Sequence, residues 1–168
     1  EALELDCRLV VFCKDQILSI ARAAKAAGRS ARVHIKVETG SNRMGVRLEE
    51  LVEFARFIQR QRLVEIEGLA THFANIEDTT DHSFAELQLH RFNEASVLLQ
   101  SAGITVPVRH CANSAATILF PKTHFEMVRL GIAGYGMWPS NETYVSFIKE
   151  RKNNFHLAPA FTWKTRIA

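Results

Sequence analysis

No apolar run in the chain approaches the roughly 18 residues that a bilayer-spanning helix needs, so no membrane segment is expected. The first residues, Glu1-Ala-Leu-Glu-Leu-Asp-Cys7, lack the basic stretch and apolar core of a signal peptide. They also lack an initiating Met, which leads us to expect a chain that begins inside a longer gene. Cysteine is sparse: Cys7, Cys13 and Cys111 are odd in number and share no metal-ligand spacing. Reduced thiols in a cytoplasmic protein are the reading that fits. An excess of one charge is missing too. A net charge of +3 with dispersed Lys and Arg argues against nucleic acid and suits a small anionic ligand.

What is present is ordinary soluble material: 47% apolar and 23% charged residues over 168 positions, enough for one sizeable core. Short apolar runs alternate with longer amphipathic ones. Arg8–Cys13 reads as a buried strand, and Asp15–Ala27 as a helix capped by Asp15 and closed by Gly28. Val33–Glu38 is the next strand, followed by a helix over Leu48–Gln61 with Leu48, Leu51, Val52, Ala55 and Ile58 on one face. Ile66–Thr71 predicts a third strand, His82–Ala102 a long helix and Val106–His110 a fourth strand. Ser114–Phe120 reads as a helix stopped by Pro121, and Phe125–Leu130 as a fifth strand. The pattern breaks in the polar stretch Ser140–Asn154, and Ala160–Ala168 resembles a strand of a further unit. Repeated βα units imply parallel strands with right-handed crossovers. Length favours a complete flavodoxin-like sheet over part of an eight-stranded barrel, which normally takes about 250 residues.

Four segments carry chemistry. In Val33-His-Ile-Lys-Val-Glu-Thr-Gly-Ser-Asn-Arg-Met-Gly-Val46, Lys36 sits in a β-branched strand and Arg43 follows a Thr-Gly turn. A strand lysine ordinarily points to water. If the turn folds Arg43 back beside Lys36, the pair requires an anion, either a ligand or a carbamate on Lys36. His72, in Gly68-Leu-Ala-Thr-His-Phe-Ala-Asn75, ends a strand where barrels place functional side chains; a structural histidine is the plain alternative. The nearby Glu77, Asp78, Asp81, His82 and His90 match no ligand spacing, so no metal site is expected and a solvated loop is preferred. Asn113 and Ser114 open a helix as ordinary caps, and the same place suits a phosphate. Arg129, in Phe125-Glu-Met-Val-Arg-Leu-Gly-Ile-Ala-Gly-Tyr-Gly136, needs a partner if buried, and the glycines after it let backbone N–H groups reach a ligand. All four fall at or near the C-terminal ends of successive strands, and the two phosphate-type segments lie on the last two units. That is the layout of a barrel, with these units as its strands 7 and 8 and the chain beginning at about strand 4.

The combination of the Lys36/Arg43 segment, Thr71-His-Phe-Ala74, Asn113-Ser-Ala-Ala116 and Met127-Val-Arg-Leu-Gly-Ile132 resembles the alanine racemases, pyridoxal-phosphate enzymes of fold type III. The similarity runs from about Val33 to Ser140, with a weaker echo at Trp163-Lys-Thr-Arg166. Glu38 stands where the family often has Asp, and Ser41-Asn42 where it frequently has Met-Gly. The resemblance implies an α/β fold: a partial TIM-type (β/α)8 barrel of about strands 4–8 over residues 1–155. Residues 156–168 would begin a C-terminal β-domain. It implies that pyridoxal 5'-phosphate is the cofactor, with Arg43, His72, Asn113, Ser114, Arg129, Gly131 and Ile132 around it. Lys36 would be carbamylated, Arg43 would also hold the substrate carboxylate, and Arg129 would face the pyridine nitrogen. His72 would sit beside the ring, and His110 would join Arg129 to a network with the catalytic tyrosine. His72 and Arg43 are thus supporting members of the catalytic site. The Schiff-base lysine is expected upstream of Glu1 and the tyrosine base downstream of Ala168, from the other subunit of a homodimer. The implied activity is interconversion of L- and D-alanine for peptidoglycan in the cytoplasm, with the isolated chain inactive. A racemase of serine or broader specificity and a non-catalytic cofactor-binding barrel are the alternatives; a complete flavodoxin-like module is a third, although Cys13-Lys-Asp-Gln16 offers no phosphate-loop glycine.

Overall fold

The computed structural model describes residues 1–150, 155–162 and 164–166. Four strands, β1 (Leu9–Val11), β2 (Ala31–Lys36), β3 (Val64–Ala70) and β4 (Val108–His110), form one parallel sheet in the order β1-β2-β3-β4. The helices α1 (Lys14–Ala27), α2 (Leu48–Gln59), α3 (Ser83–Ser101), α4 (Ser114–Leu119) and α5 (Asn141–Glu150) follow in turn. Each strand pairs with its predecessor, so the winding never reverses. A flavodoxin-like sheet would interpose the first strand between the second and third, which this order excludes. Among the described residues no helix is long and apolar enough to cross a membrane.

The sheet has two chemically different faces because strand side chains alternate. Val33 and Ile35 of β2 and Leu69 of β3 join one core with Leu51 and Ile58 of α2 and Phe92 and Leu99 of α3, all essentially inaccessible to solvent. Leu51, Phe54, Ala55 and Ile58 recur at helical spacing, and Glu49 and Glu50 in the first turn suit the positive end of the α2 dipole. Burying one such Leu or Ile contributes roughly 1.5–3 kcal/mol. The other face carries His34 and Lys36, with His34 in register with Gly68 and Lys36 with Ala70; Ala70 is in register with His110.

Several expectations require correction. Helix α1 is capped at Cys13 rather than Asp15, because Gln16 Oε1 accepts the N–H groups of Phe12 and Cys13 at 2.9 and 3.2 Å. Phe125–Leu130 is not a strand: Phe125 adopts φ +45° and the segment, exposed at Glu126, Met127, Val128 and Leu130, has no ladder. The polar stretch after Pro139 contains α5, started by the Ser140 hydroxyl accepting the Thr143 N–H at 2.9 Å. The described residues from Ala160 onward form no strand; Trp163, Ile167 and Ala168 lie outside the described residues.

Candidate active site

At the end of β2 the chain turns back on itself. Val46 N–H donates to Lys36 O at 2.7 Å and Glu38 N–H to Val46 O at 2.9 Å, closing a loop over residues 37–46. Gly45 makes this possible: its φ is +149° and a Cβ would stand 2.5 Å from the Glu38 nitrogen. The Glu38 carboxylate accepts the Gly40 N–H at 2.6 Å and the Ser41 hydroxyl at 3.0 Å. Burial pushes its pKa up, but hydrogen bonds from Asn42, Gly40 and Ser41 outweigh this and hold it below the ordinary value. The loop is tied to its neighbours through Thr39, whose hydroxyl lies 2.7 Å from that of Thr71 and accepts from Gln88 of α3 at 3.2 Å. The loop carries Arg43 back toward Lys36. Burial, then the Arg43 and Arg129 charges, lower the Lys36 pKa, with Glu38 opposing. Among the described residues neither Lys36 Nζ nor the Arg43 guanidinium has a hydrogen-bond or ion-pair partner, although the Arg43 backbone N–H also serves the Glu38 carboxylate.

Arg129 lies across the ends of β3 and β4. Its Nη1 donates to His110 Nδ1 at 2.6 Å and to His110 O at 3.1 Å. Its Nη2 reaches Thr71 O at 2.9 Å, Cys111 O at 3.3 Å and His72 Nδ1 at 3.3 Å. Every one of these partners is neutral, and among the described residues Nε has none. Burial lowers its pKa, with Cys111 opposing. A guanidinium can only donate, so His110 and His72 must each present a bare Nδ1 and carry their proton on Nε2. Burial and the Arg129 charge push His110 down to about 4, and burial, Arg129 and Lys36 lower His72. Beyond His110 the contacts continue to His34 and Glu67, two residues that the sequence reading did not single out.

The third part surrounds α4. Asn113 caps the helix by accepting the Ala116 N–H at 3.0 Å, while its Nδ2 donates to Glu77 at 3.0 Å. Glu77 is therefore drawn into the fold rather than left solvated. Ser114, 5% exposed, accepts the N–H groups of Gly131 and Ala133 at 3.0 and 3.2 Å. Its hydroxyl still has a proton to donate, and among the described residues the Ile132 N–H has no partner. Ala133 was not foreseen; the apolar residue two beyond Gly131 gave no signal in the sequence.

Lys36, Arg43 and Arg129 leave a surplus of positive charge, because Glu38 is occupied by its loop and Glu77 by Asn113. An anionic, phosphate-bearing aromatic cofactor fits this donor set: Arg129 toward a ring acceptor, Ser114 and the N–H groups after Gly131 toward a phosphate. A separate groove of about 380 Å³, on the N-terminal side of β4 beside the Arg109–Glu126 ion pair, shares none of these residues.

Residues 1–139 match the family described as alanine racemase, N-terminal domain. An alanine racemase of Desulfovibrio desulfuricans is 42% identical over 132 residues, covering 79% of this chain and 35% of that protein. The solved alanine racemase of Clostridium difficile 630 in complex with cycloserine superposes with a TM-score of 0.83 at 27% identity, covering 95% of this chain and 42% of that one. A histidine racemase of Leuconostoc mesenteroides superposes with a TM-score of 0.75 at 25% identity, over 95% of this chain and 40% of that one. This chain thus spans well under half the length of the relatives it matches, and its parallel α/β fold is similar to their barrel domain.

Proposed function

The chain belongs to the alanine racemase N-terminal domain family, and from that premise we propose that it forms the cofactor-binding wall of a pyridoxal-phosphate racemase that interconverts L- and D-alanine. The observation that carries this reading is Arg129: a half-buried guanidinium held entirely by neutral acceptors, with Nε left to donate. The cofactor, when bound, withdraws electrons from the substrate Cα. Arg129 offers its ring nitrogen a hydrogen bond without surrendering a proton, which restrains that withdrawal and favours racemisation over competing chemistry. Ser114, Gly131 and Ile132 hold the phosphate, with Asn113 setting the position of Ser114. His72 lines the ring and Arg43 binds the substrate carboxylate. Lys36 carries a carbamate: its lowered pKa favours the free amine, which forms an N–C bond to CO2 and releases one proton.

In this reading residues 1–155 contribute four strands of the barrel and, in Phe125–Leu130, the irregular segment that stands where a fifth was expected, and residues 156–168 begin the β-domain. The two proton-moving bases are assigned outside this segment: a lysine from the first strand of the barrel, and a tyrosine from the β-domain of the partner subunit in a homodimer. The enzyme is cytoplasmic and supplies D-alanine for peptidoglycan. Likeness to a histidine racemase supports broader amino-acid specificity as a second reading.

The test is exchange of the alanine α-hydrogen in heavy water with added cofactor. The gene product carrying this segment should exchange, and the isolated chain should not. Ser114→Ala should weaken cofactor binding by about 1–3 kcal/mol. Tight cofactor binding without exchange of alanine, serine or histidine by the intact protein would replace the racemase reading with a non-catalytic one.

A further inference from the structure

A row of contacts leads from Arg129 across β3, along the face that carries His34 and Lys36, toward the other end of the strands. His110 Nε2 lies 2.7 Å from His34 Nδ1, and His34 Nε2 lies 3.0 Å from Glu67 Oε2. Both imidazoles are buried, 3% and 5% exposed. The proton positions along the row follow from its two ends. Arg129 can only donate, so His110 Nδ1 accepts and His110 Nε2 carries the hydrogen. That hydrogen points to His34 Nδ1, which must accept, leaving the His34 hydrogen on Nε2 to be donated to the Glu67 carboxylate. One arrangement satisfies every member, and all bonds run in the same direction. Glu67 is fixed in turn by Arg8 at 2.9 Å and Arg32 at 3.3 Å.

Gly68 makes the row possible. It lies in β3 between β2 and β4, in register with both His34 and Val108, and a Cβ there would stand 2.5 Å from His34 Nδ1. His34 therefore crosses over the glycine to meet His110 on a strand that is not its neighbour.

We infer that His34 and Glu67 are positioning residues of the cofactor site: the anion at Glu67, relayed through two imidazoles, strengthens His110 Nδ1 as the acceptor that holds Arg129 and so sets which edge Arg129 turns toward the cofactor ring. The inference rests on the proposed cofactor site and extends it to residues that touch neither cofactor nor substrate. Aligned hydrogen bonds polarise one another, so the charge of Glu67 is felt at Arg129 although the two do not meet.

The experiment uses the intact protein in three variants that break the row at different points. Glu67→Gln removes the anion at constant shape, His34→Phe removes both nitrogens, and Gly68→Ala displaces the His34 ring while keeping every polar group. Glu65→Gln, an exposed change on the same strand, is the control. Nitrogen-15 spectra of the histidines in cofactor-free protein should show His110 as a single Nε2–H tautomer in wild type and control. In all three variants the His110 signals should shift as the hydrogen bond from its Nε2–H to His34 is weakened or lost, while Arg129 keeps Nδ1 bare. With cofactor bound, the same variants should move the absorption band and lower kcat about tenfold, the equivalent of one hydrogen bond, with a smaller change in KM. His110 signals and absorption band unchanged in every folded variant, with only the melting temperature reduced, would overturn the inference and make the row ordinary packing. A wild-type protein that binds no pyridoxal phosphate would overturn the proposed function instead. The cofactor-free spectra would then decide the relay alone, a mixed wild-type tautomer counting against it.

Discussion

The two banks of the candidate site are built on opposite principles. On the β3–β4 side one cation, Arg129, is held by Thr71, His72, His110 and Cys111, and each acceptor has its donor before any ligand arrives. On the β2 side Lys36 and Arg43 approach one another with no anion among the described residues, and the carboxylate closest in sequence, Glu38, is consumed by its own loop. The first bank is preorganised and the second is completed by what binds. The difference separates residues whose loss should unfold the site from residues whose loss should only empty it.

The sharpest way to break that contrast is Arg129→Met. It leaves the Thr71 and Cys111 carbonyls and His110 without their buried donor, so stability should fall by roughly 3 kcal/mol, read from urea unfolding. A loss below about 1 kcal/mol would show that water replaces the guanidinium and that this bank is no more preformed than the other.

Acid probes the same bank almost as strongly. His110 stays neutral in the fold down to about pH 4, while an unfolded imidazole takes its proton near 6.5. Between those values the unfolded chain binds more protons, so stability falls as pH drops from 6.5 toward 4, by about 3 kcal/mol in full. His72 is lowered too and acts with the same sign. His110→Asn should flatten the curve in this window relative to wild type; parallel curves would mean that His110 titrates normally and that burial and Arg129 do not hold it deprotonated.

The two banks were not equally legible in the sequence. Lys36, Arg43, Ser114 and Arg129 stand out because a charge or hydroxyl amid apolar or glycine-rich residues has to be explained, and the structure brings them to the same ends of β2 and β4. His34 and Glu67 passed unnoticed because an isolated strand histidine or glutamate is ordinarily solvent-facing. Only the register across Gly68 reveals their meeting, although His34 two positions before Lys36 and a Glu-Gly pair inside a strand were available signals. The expected strand at Phe125–Leu130 failed for a local reason. Its apolar residues Met127, Val128 and Leu130 are more than a third exposed, and Glu126 is drawn off to Arg109 at 2.8 Å. Helix α5 was missed because its buried positions include Thr143 and Ser146, which carry no apolar period.

The second bank is sharpened by Lys36→Met in buffer freed of carbon dioxide. With the carbamate absent, removing one of two unpartnered cations should leave stability unchanged or raise it by up to about 1 kcal/mol. Restoring bicarbonate should stabilise wild type and leave the variant unaffected, and carbon-13 bicarbonate should give wild type a carbamate signal. A map showing a bare Lys36 ammonium in bicarbonate-saturated crystals would defeat the modification while leaving the charge argument standing.

The smallest effect on stability, and the one that separates the banks most cleanly, is expected from Arg43→Ala. Arg43 is exposed, its guanidinium makes no hydrogen bond among the described residues, and it sits on a loop whose shape is fixed by Glu38, Gly45 and Thr39. Its removal should therefore change unfolding free energy by less than about 0.5 kcal/mol. Its proposed work is to meet a carboxylate that arrives with the substrate, so KM for alanine should rise at least about tenfold in the intact enzyme, the loss of one charge-assisted hydrogen bond. Arg43→Lys keeps the charge and loses the planar fork, and should fall between wild type and Arg43→Ala. Equal KM values in all three proteins would remove Arg43 from the substrate site. A loss of several kcal/mol in stability would instead place it with Arg129, as part of the scaffold, and the contrast between the two banks would dissolve.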